Sequence, residues 1–203
     1  MDYLIIIVIS YLLGSIPFGL LLTKLFLKKD IRNIGSGNIG ATNVLRSGNK
    51  LIGYSTLFLD ILKAILPVIY VKYNYPDFIY ISSLSVFLGH VFPIWLKFNG
   101  GKGVATYLGI LFGINLMYGL VFGLTWIIIF VFSKYSSLSS LIGTLSIPVY
   151  LFIVLAFAGL STMTRFIIHQ NTQKTFSVKL INFCLIFFFV FQSFNVFTMC
   201  IKY

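Results

Sequence analysis

Residues 3–23, 104–132 and 180–201 contain no charged side chain, and residues 51–71, 79–93 and 138–168 are nearly as apolar. A span of bilayer hydrocarbon takes about 20 such residues. A backbone placed there must satisfy its own N–H and C=O groups, which helices do within one segment. With 203 residues of which 59% are hydrophobic and 9% charged, the chain lies far from the roughly 25% charge of soluble domains, so an ordinary water-soluble enzyme is excluded. Its 22 Phe and 12 Tyr equally exclude disorder. The expected fold is all-α: a polytopic integral membrane helix bundle of about seven transmembrane helices (six to eight), folded as one membrane-embedded domain over 1–203.

The first run follows an N-terminus without Lys or Arg, so it lacks the basic region of a secretory signal and is read as a retained span. The 29 residues from 104 to 132 are too many for one upright helix, and the soft break at 115–119 predicts two shorter ones. Residues 138–168 pose the same problem, with Pro148 as a kink or hairpin point. Residues 180–201 close the chain as a last span.

The basic residues sort to one end of these spans. Lys24, Lys28, Lys29, Arg32, Arg46 and Lys50 crowd the first connection, with Lys97, Lys102, Lys134, Arg165, Lys174 and Lys179 on the same side and Lys72 and Lys202 opposite. Cytoplasmic loops carry such an excess, which places these loops in the cytoplasm and the N-terminus outside. Headgroups and anionic substrates absorb the net charge of +11, and no nucleic-acid partner is expected.

The acids are Asp2, Asp30, Asp60 and Asp77, with no Glu. A catalytic carboxylate dyad or a carboxylate-rich metal site is therefore hard to build. Cys184 and Cys200 both fall in the last apolar run and form no zinc or disulfide pattern, so neither metal nor cofactor is expected. Asp60 and Lys63 share one helical face three residues apart; a structural ion pair in the bundle interior is favoured over a catalytic role.

Two loops on the basic side are unlike lipid-facing sequence. Gly35-Ser36-Gly37-Asn38-Ile39-Gly40-Ala41-Thr42-Asn43-Val44-Leu45-Arg46 joins glycines, short hydrogen-bonding side chains and an arginine able to clamp a phosphate. An interhelical turn with ordinary capping residues would use the same residue types. Gly89-His90-Val91-Phe92-Pro93 leads to Phe98-Asn99-Gly100-Gly101-Lys102-Gly103-Val104-Ala105-Thr106, where exposed N–H groups, a lysine and a helix N-terminus would coincide as an anion site. It is no Walker A loop, since Leu96 stands at the first Gly position and Gly103 at the Ser/Thr position. His90 is read as a base or as a capped interfacial histidine. Neither His90 nor His169 precedes an Asp by four or five residues, and no Asp-Gly pair starts a CDP-alcohol phosphotransferase motif. The loops suit a phosphorylated substrate meeting a lipid.

At these loops the chain resembles the PlsY family of bacterial acyl-phosphate:glycerol-3-phosphate acyltransferases. The family's Gly-Ser-x-Asn-x-Gly-Ala-Thr-Asn-x-x-Arg motif is matched from Gly35 to Arg46, and its Gly-His-x-x-Pro and Phe-x-Gly-Gly-Lys-Gly-Val-Ala-Thr elements from Gly89 to Thr106. Gly14-Ser15-Ile16-Pro17, Leu59-Asp60-Ile61-Leu62-Lys63 and Lys134-Tyr135-Ser136-Ser137-Leu138 agree as well, so the likeness runs from about residue 10 to residue 140.

The resemblance implies a mainly seven-helix enzyme that moves a fatty acyl group from acyl phosphate, not acyl-CoA or acyl carrier protein, to the 1-hydroxyl of glycerol 3-phosphate. Its partners would be those two substrates and membrane lipids; separately from the resemblance, a monomer is expected. Ser36, Arg46, Lys102 and His169 are the implied catalytic residues. Gly35, Asn38, Gly40, Thr42, Asn43, His90, Gly100, Gly101, Gly103 and Ser137 are expected to bind substrate or phosphate. The third family motif departs: Thr172 and Thr175 stand at the expected Asn and basic positions, no downstream Glu exists, and residues 165–203 diverge. Acyl phosphate is already activated, so Arg46, Lys102 and loop N–H groups need only align two anions while a substrate phosphate oxygen takes the hydroxyl proton. His169 is the competing base. The alternatives are a catalytically impaired membrane scaffold and an organic-phosphate transporter.

Overall fold

The computed structural model describes residues 2–162, and every regular element among them is helical. The eight α-helices are α1 (Asp2–Gly14), α2 (Phe18–Leu27), α3 (Ala41–Arg46), α4 (Lys50–Asn74), α5 (Ile79–Val91), α6 (Val104–Ile114), α7 (Leu116–Ser133) and α8 (Ser136–Thr162). Among the described residues five stretches are long and apolar enough to cross a membrane, Tyr3–Leu27, Lys50–Asn74, Pro76–Leu96, Leu116–Ser133 and Ser136–Val154, and Val104–Ile114 is a shorter apolar helix. The expected last span, residues 180–201, lies outside the described residues, as does His169.

Each helix end has a local cause. The first span is interrupted: Pro17 lacks an N–H and disfavours helical backbone at Ile16, so α1 stops and α2 begins after a three-residue break. Asn115 divides the long apolar run as the soft break predicts. Its own backbone is extended (φ −157°, ψ 135°) after α6, and its side chain accepts the Met117 N–H at 2.9 Å to start α7. Pro148 makes no hairpin, because α8 continues through it as α4 does through Pro67.

Packing divides the chain into two units, one up to Gly119 and one from Leu120. In the first, close backbone approach at glycines replaces the hydrophobic drive that lipid removes. A Cβ on Gly14 would overlap the Val86 carbonyl and one on Gly89 the Tyr11 carbonyl, so α1 lies directly on α5; Ser10 Oγ and Ser82 Oγ hydrogen-bond across that contact at 2.8 Å. Gly109 of α6 meets the Ile61 carbonyl of α4 in the same manner, and Gly113, one turn on, makes room for the Val68 side chain. At the far end from the basic loops, Lys72 Nζ donates to the Ile114 carbonyl at 2.8 Å and caps the C-terminus of α6. In the second unit Gly143 of α8 faces Phe122 of α7, and the Ser139 and Thr144 hydroxyls donate to carbonyls one turn back. The outward face of α7, with Leu120, Leu124, Ile127 and Val131 exposed, reads as lipid-facing.

Gly109→Val forces α6 away from the Ile61 carbonyl at a cost of about 1–3 kcal/mol, the range for overpacking. Thermal unfolding in detergent is expected to show a clear fall in Tm, whereas Leu124→Val on the exposed face leaves it nearly unchanged.

Candidate functional site

The first basic loop is built around a buried amide. Asp30 caps the short helical turn Ile31–Asn33 by accepting the Arg32 N–H, and Arg32 Nη2 reaches its carboxylate at 2.6 Å, with Lys24 3.8 Å away. That side-chain bond to Arg32 holds the Asp30 carboxyl down at about 2. Asn43, in α3, then ties the loop together. Its Oδ1 accepts the Ser36 N–H at 2.9 Å, and its Nδ2 donates to the Ile34 and Asn38 carbonyls at 2.9 and 2.8 Å, with Ile31 O at 3.2 Å. Asn38 Oδ1 accepts the Gly40 N–H at 2.9 Å. Gly35 turns at φ +57° with Asn43 Oδ1 packed where a Cβ would sit. With those groups committed to the loop's own fold, Ser36 is half-buried while Thr42 and Arg46 face outward, Arg46 in the last turn of α3.

The second loop is stapled to the end of α5. Gly100 N–H donates to the Val91 carbonyl at 3.0 Å and Gly101 N–H to the His90 carbonyl at 3.1 Å, filling acceptors that the helix terminus leaves open. These two N–H groups, expected from the sequence to face an anion, are therefore engaged within the protein. What glycine supplies here is proximity: a Cβ on Gly101 would overlap His90 Nε2. Gly103 adopts φ +80° and starts α6, and Lys102 is half-exposed between the two. Ser137 is exposed in the first turn of α8, in the other unit.

Between the loops lies a buried cation. Lys63 Nζ sits 2.8 Å from Asp60 Oδ1, with both side chains no more than 3% exposed, which bears out the ion pair read from their spacing. It also donates to the Ile16 carbonyl at 2.7 Å and meets His90 Nδ1 at 2.9 Å. An ammonium has three protons and no acceptor, so beside a charged Lys63 the His90 Nδ1 accepts and the ring proton resides on Nε2. The spacing of Asp60 and Lys63 signalled their pair; nothing in it signalled His90 as the third partner. Further bonds join the second loop to the α1–α2 break: Trp95 Nε1 donates to Ser15 Oγ at 2.7 Å, and Tyr11 Oη to the Phe92 carbonyl at 2.6 Å. Leu96 packs on the buried cluster formed by Leu20, Ile31, Ile39, Val44 and Ile52. The loops of both motifs thus share one end of the first unit, around residues 15–17.

Residues 4–190 match the family model described as glycerol-3-phosphate acyltransferase. The chain belongs to this family. Within the glycerol-3-phosphate acyltransferases, it is 66% identical over 174 residues to the Pelagibacter ubique protein of that name, covering 86% of this chain and 91% of the relative. Identity to the Bartonella henselae protein is 52% over 151 residues, or 72% of each chain. Among solved structures it is similar to the integral membrane glycerol 3-phosphate acyltransferase PlsY (YgiH). The glycerol 3-phosphate form matches with a TM-score of 0.77 and 31% identity over 100% of this chain and 94% of the other. The lysophosphatidic acid form gives 0.76 and 30% over 100% and 93%. The resemblance found in the two loop motifs therefore holds for the chain as a family member.

Asn43→Asp keeps the acceptor for Ser36 but replaces the donors to the Ile34 and Asn38 carbonyls with an acceptor. Each orphaned buried group costs about 1–3 kcal/mol. Limited proteolysis is expected to cut within residues 31–46 faster in this variant than in wild type, while helices α4 to α6 stay resistant.

Proposed function

We propose that this chain transfers a fatty acyl group from acyl phosphate to the 1-hydroxyl of glycerol 3-phosphate, giving lysophosphatidic acid and inorganic phosphate. The observation that carries the reading is the pair of similar PlsY structures, one in a glycerol 3-phosphate form and one in a lysophosphatidic acid form. Those two molecules differ by one acyl group on one oxygen. We place the enzyme in the bacterial inner membrane as a monomer, with its basic loops in the cytoplasm and its N-terminus outside.

The carboxylates support the substrate as its own base. Asp30, the acid of the basic loops, is engaged by Arg32, and Asp60 is buried against Lys63. Neither is poised to take a proton, and neither leaves a net negative charge to repel two phosphorylated substrates. Arg46 supplies a planar two-pronged donor and Lys102 a compact cation, in the roles of phosphate clamps. Ser36 and Thr42 supply hydroxyls for orientation. With the phosphates held, the 1-hydroxyl oxygen attacks the acyl carbonyl carbon. The bond from that carbon to the bridging oxygen breaks, phosphate departs with the electron pair, and the hydroxyl proton passes to a phosphate oxygen. Alignment and charge neutralisation supply the rate enhancement.

Purified protein given palmitoyl phosphate and radiolabelled glycerol 3-phosphate is expected to make labelled lysophosphatidic acid, with no product from palmitoyl-CoA. Arg46→Ala and Lys102→Ala should each cut kcat/KM by about 100-fold or more, as removal of a transition-state donor does. Product from palmitoyl-CoA at an equal rate would overturn the donor assignment, and no product from either donor in folded protein would leave the scaffold reading.

His169→Ala separates the two candidate bases. Substrate-assisted transfer predicts a kcat close to wild type. A loss of about 100-fold or more in kcat with KM unchanged would assign the proton to His169 instead.

A further inference from the structure

The Lys63 cluster lies outside the proposed substrate clamps, yet it touches the loop that carries one of them. His90 is held from both sides. Its Nδ1 accepts from Lys63 Nζ at 2.9 Å, and its Nε2 edge abuts the Cα of Gly101, where even a methyl group would overlap it. Its backbone carbonyl takes the Gly101 N–H, and the next carbonyl takes the Gly100 N–H. Lys63 is fixed in turn by Asp60 on its own helix and by the Ile16 carbonyl across the α1–α2 break, with the Phe18 ring centroid 5.7 Å from Nζ. The path from α4 to the backbone next to Lys102 is therefore continuous and contains no exposed group.

We propose that Lys63, anchored by Asp60, is a positioning residue: through the His90 ring it sets the Gly100–Gly103 backbone from which Lys102 projects toward phosphate. An ion pair serving only to neutralise two buried charges would need neither a third partner on another helix nor a glycine against that partner's far edge. The inference rests on the acyltransferase reading for what Lys102 does, and on geometry alone for what holds its loop.

The decisive variant is the double substitution Asp60→Asn with Lys63→Met, which removes both charges together and so avoids stranding one of them. A purely structural pair predicts a folded enzyme with wild-type constants. Positioning predicts a folded enzyme, with Tm within about 4 °C of wild type, whose KM for glycerol 3-phosphate rises about tenfold or more while kcat changes less. A displacement of one ångström can cost about 100-fold in kcat/KM. Hydrogen exchange over residues 97–104 supplies a readout that needs no turnover: the Gly100 and Gly101 amides should exchange about tenfold faster in the double variant. Wild-type KM and wild-type exchange in the folded variant would overturn the proposal.

Should that variant not fold, the coupling of His90 to Gly101 decides. His90→Asn keeps an oxygen for Lys63 but vacates the ring's far edge. Gly101→Ala should then be far less harmful in the His90→Asn background than in wild type, and additive effects would refute the contact's role. If wild type uses neither acyl donor, the acyltransferase reading falls, while amide exchange still judges whether Lys63 holds the loop.

Discussion

A lysine ammonium at the centre of an apolar bundle is costly unless each of its protons meets an acceptor. Lys63 is met from three segments, by the Asp60 carboxylate of α4 as an ion pair and by hydrogen bonds to Ile16 at the α1–α2 break and His90 of α5. The Ile16 carbonyl is available because Pro17 ends regular helix there, so the interruption of the first span and the burial of the cation are one feature. The carbonyls at the end of α5 are likewise orphaned by the helix terminus and taken up by Gly100 and Gly101. Around this point, backbone that would be a liability in lipid becomes the means by which two polar loops are held at one end of a membrane protein.

The same economy governs helix packing. Glycines at 14, 89 and 109 allow backbone to approach backbone, Gly113 makes room for the Val68 side chain, and the Ser10, Thr23 and Thr56 hydroxyls bond across helices or back to their own turn. Rigid contacts then pass from α4 to α6 and from α1 to α5 without polar groups left facing lipid. Loops mounted on such a frame can keep a fixed geometry although their own residues are small and polar.

Much of this was legible in the sequence because it rests on local rules. Charge-free runs gave the spans, Asn115 the split between α6 and α7, and the i, i+3 spacing the Asp60–Lys63 pair. The two loop motifs gave the family. Pro148 was ambiguous, since a proline inside an apolar run kinks, breaks or is tolerated according to neighbours that sequence does not display; here α8 runs through it. The duties of Asn43, Gly100 and Gly101 were equally hidden. An amide or a glycine N–H is a ligand donor or a structural bond depending on which carbonyls lie within hydrogen-bond reach, and those come from residues 5 to 12 positions away. His90 joined the buried pair across 27 residues of chain, beyond the reach of any spacing rule.

The shortness of α6 bears on depth. Its Gly109 and Gly113 lie against Ile61 and Val68, and its last carbonyl is capped by Lys72, so it runs beside the C-terminal half of α4. With 11 residues against the 25 of α4, it begins about two helical turns, roughly 10 Å, inward of the point where α4 starts. Lys102 is thereby recessed below the level of Lys50. An ester carbonyl in a lipid lies at a similar remove from the water boundary. A soluble polyol phosphate that descends this far, and an acyl chain anchored in the leaflet, would meet at the same height without either leaving its own phase entirely.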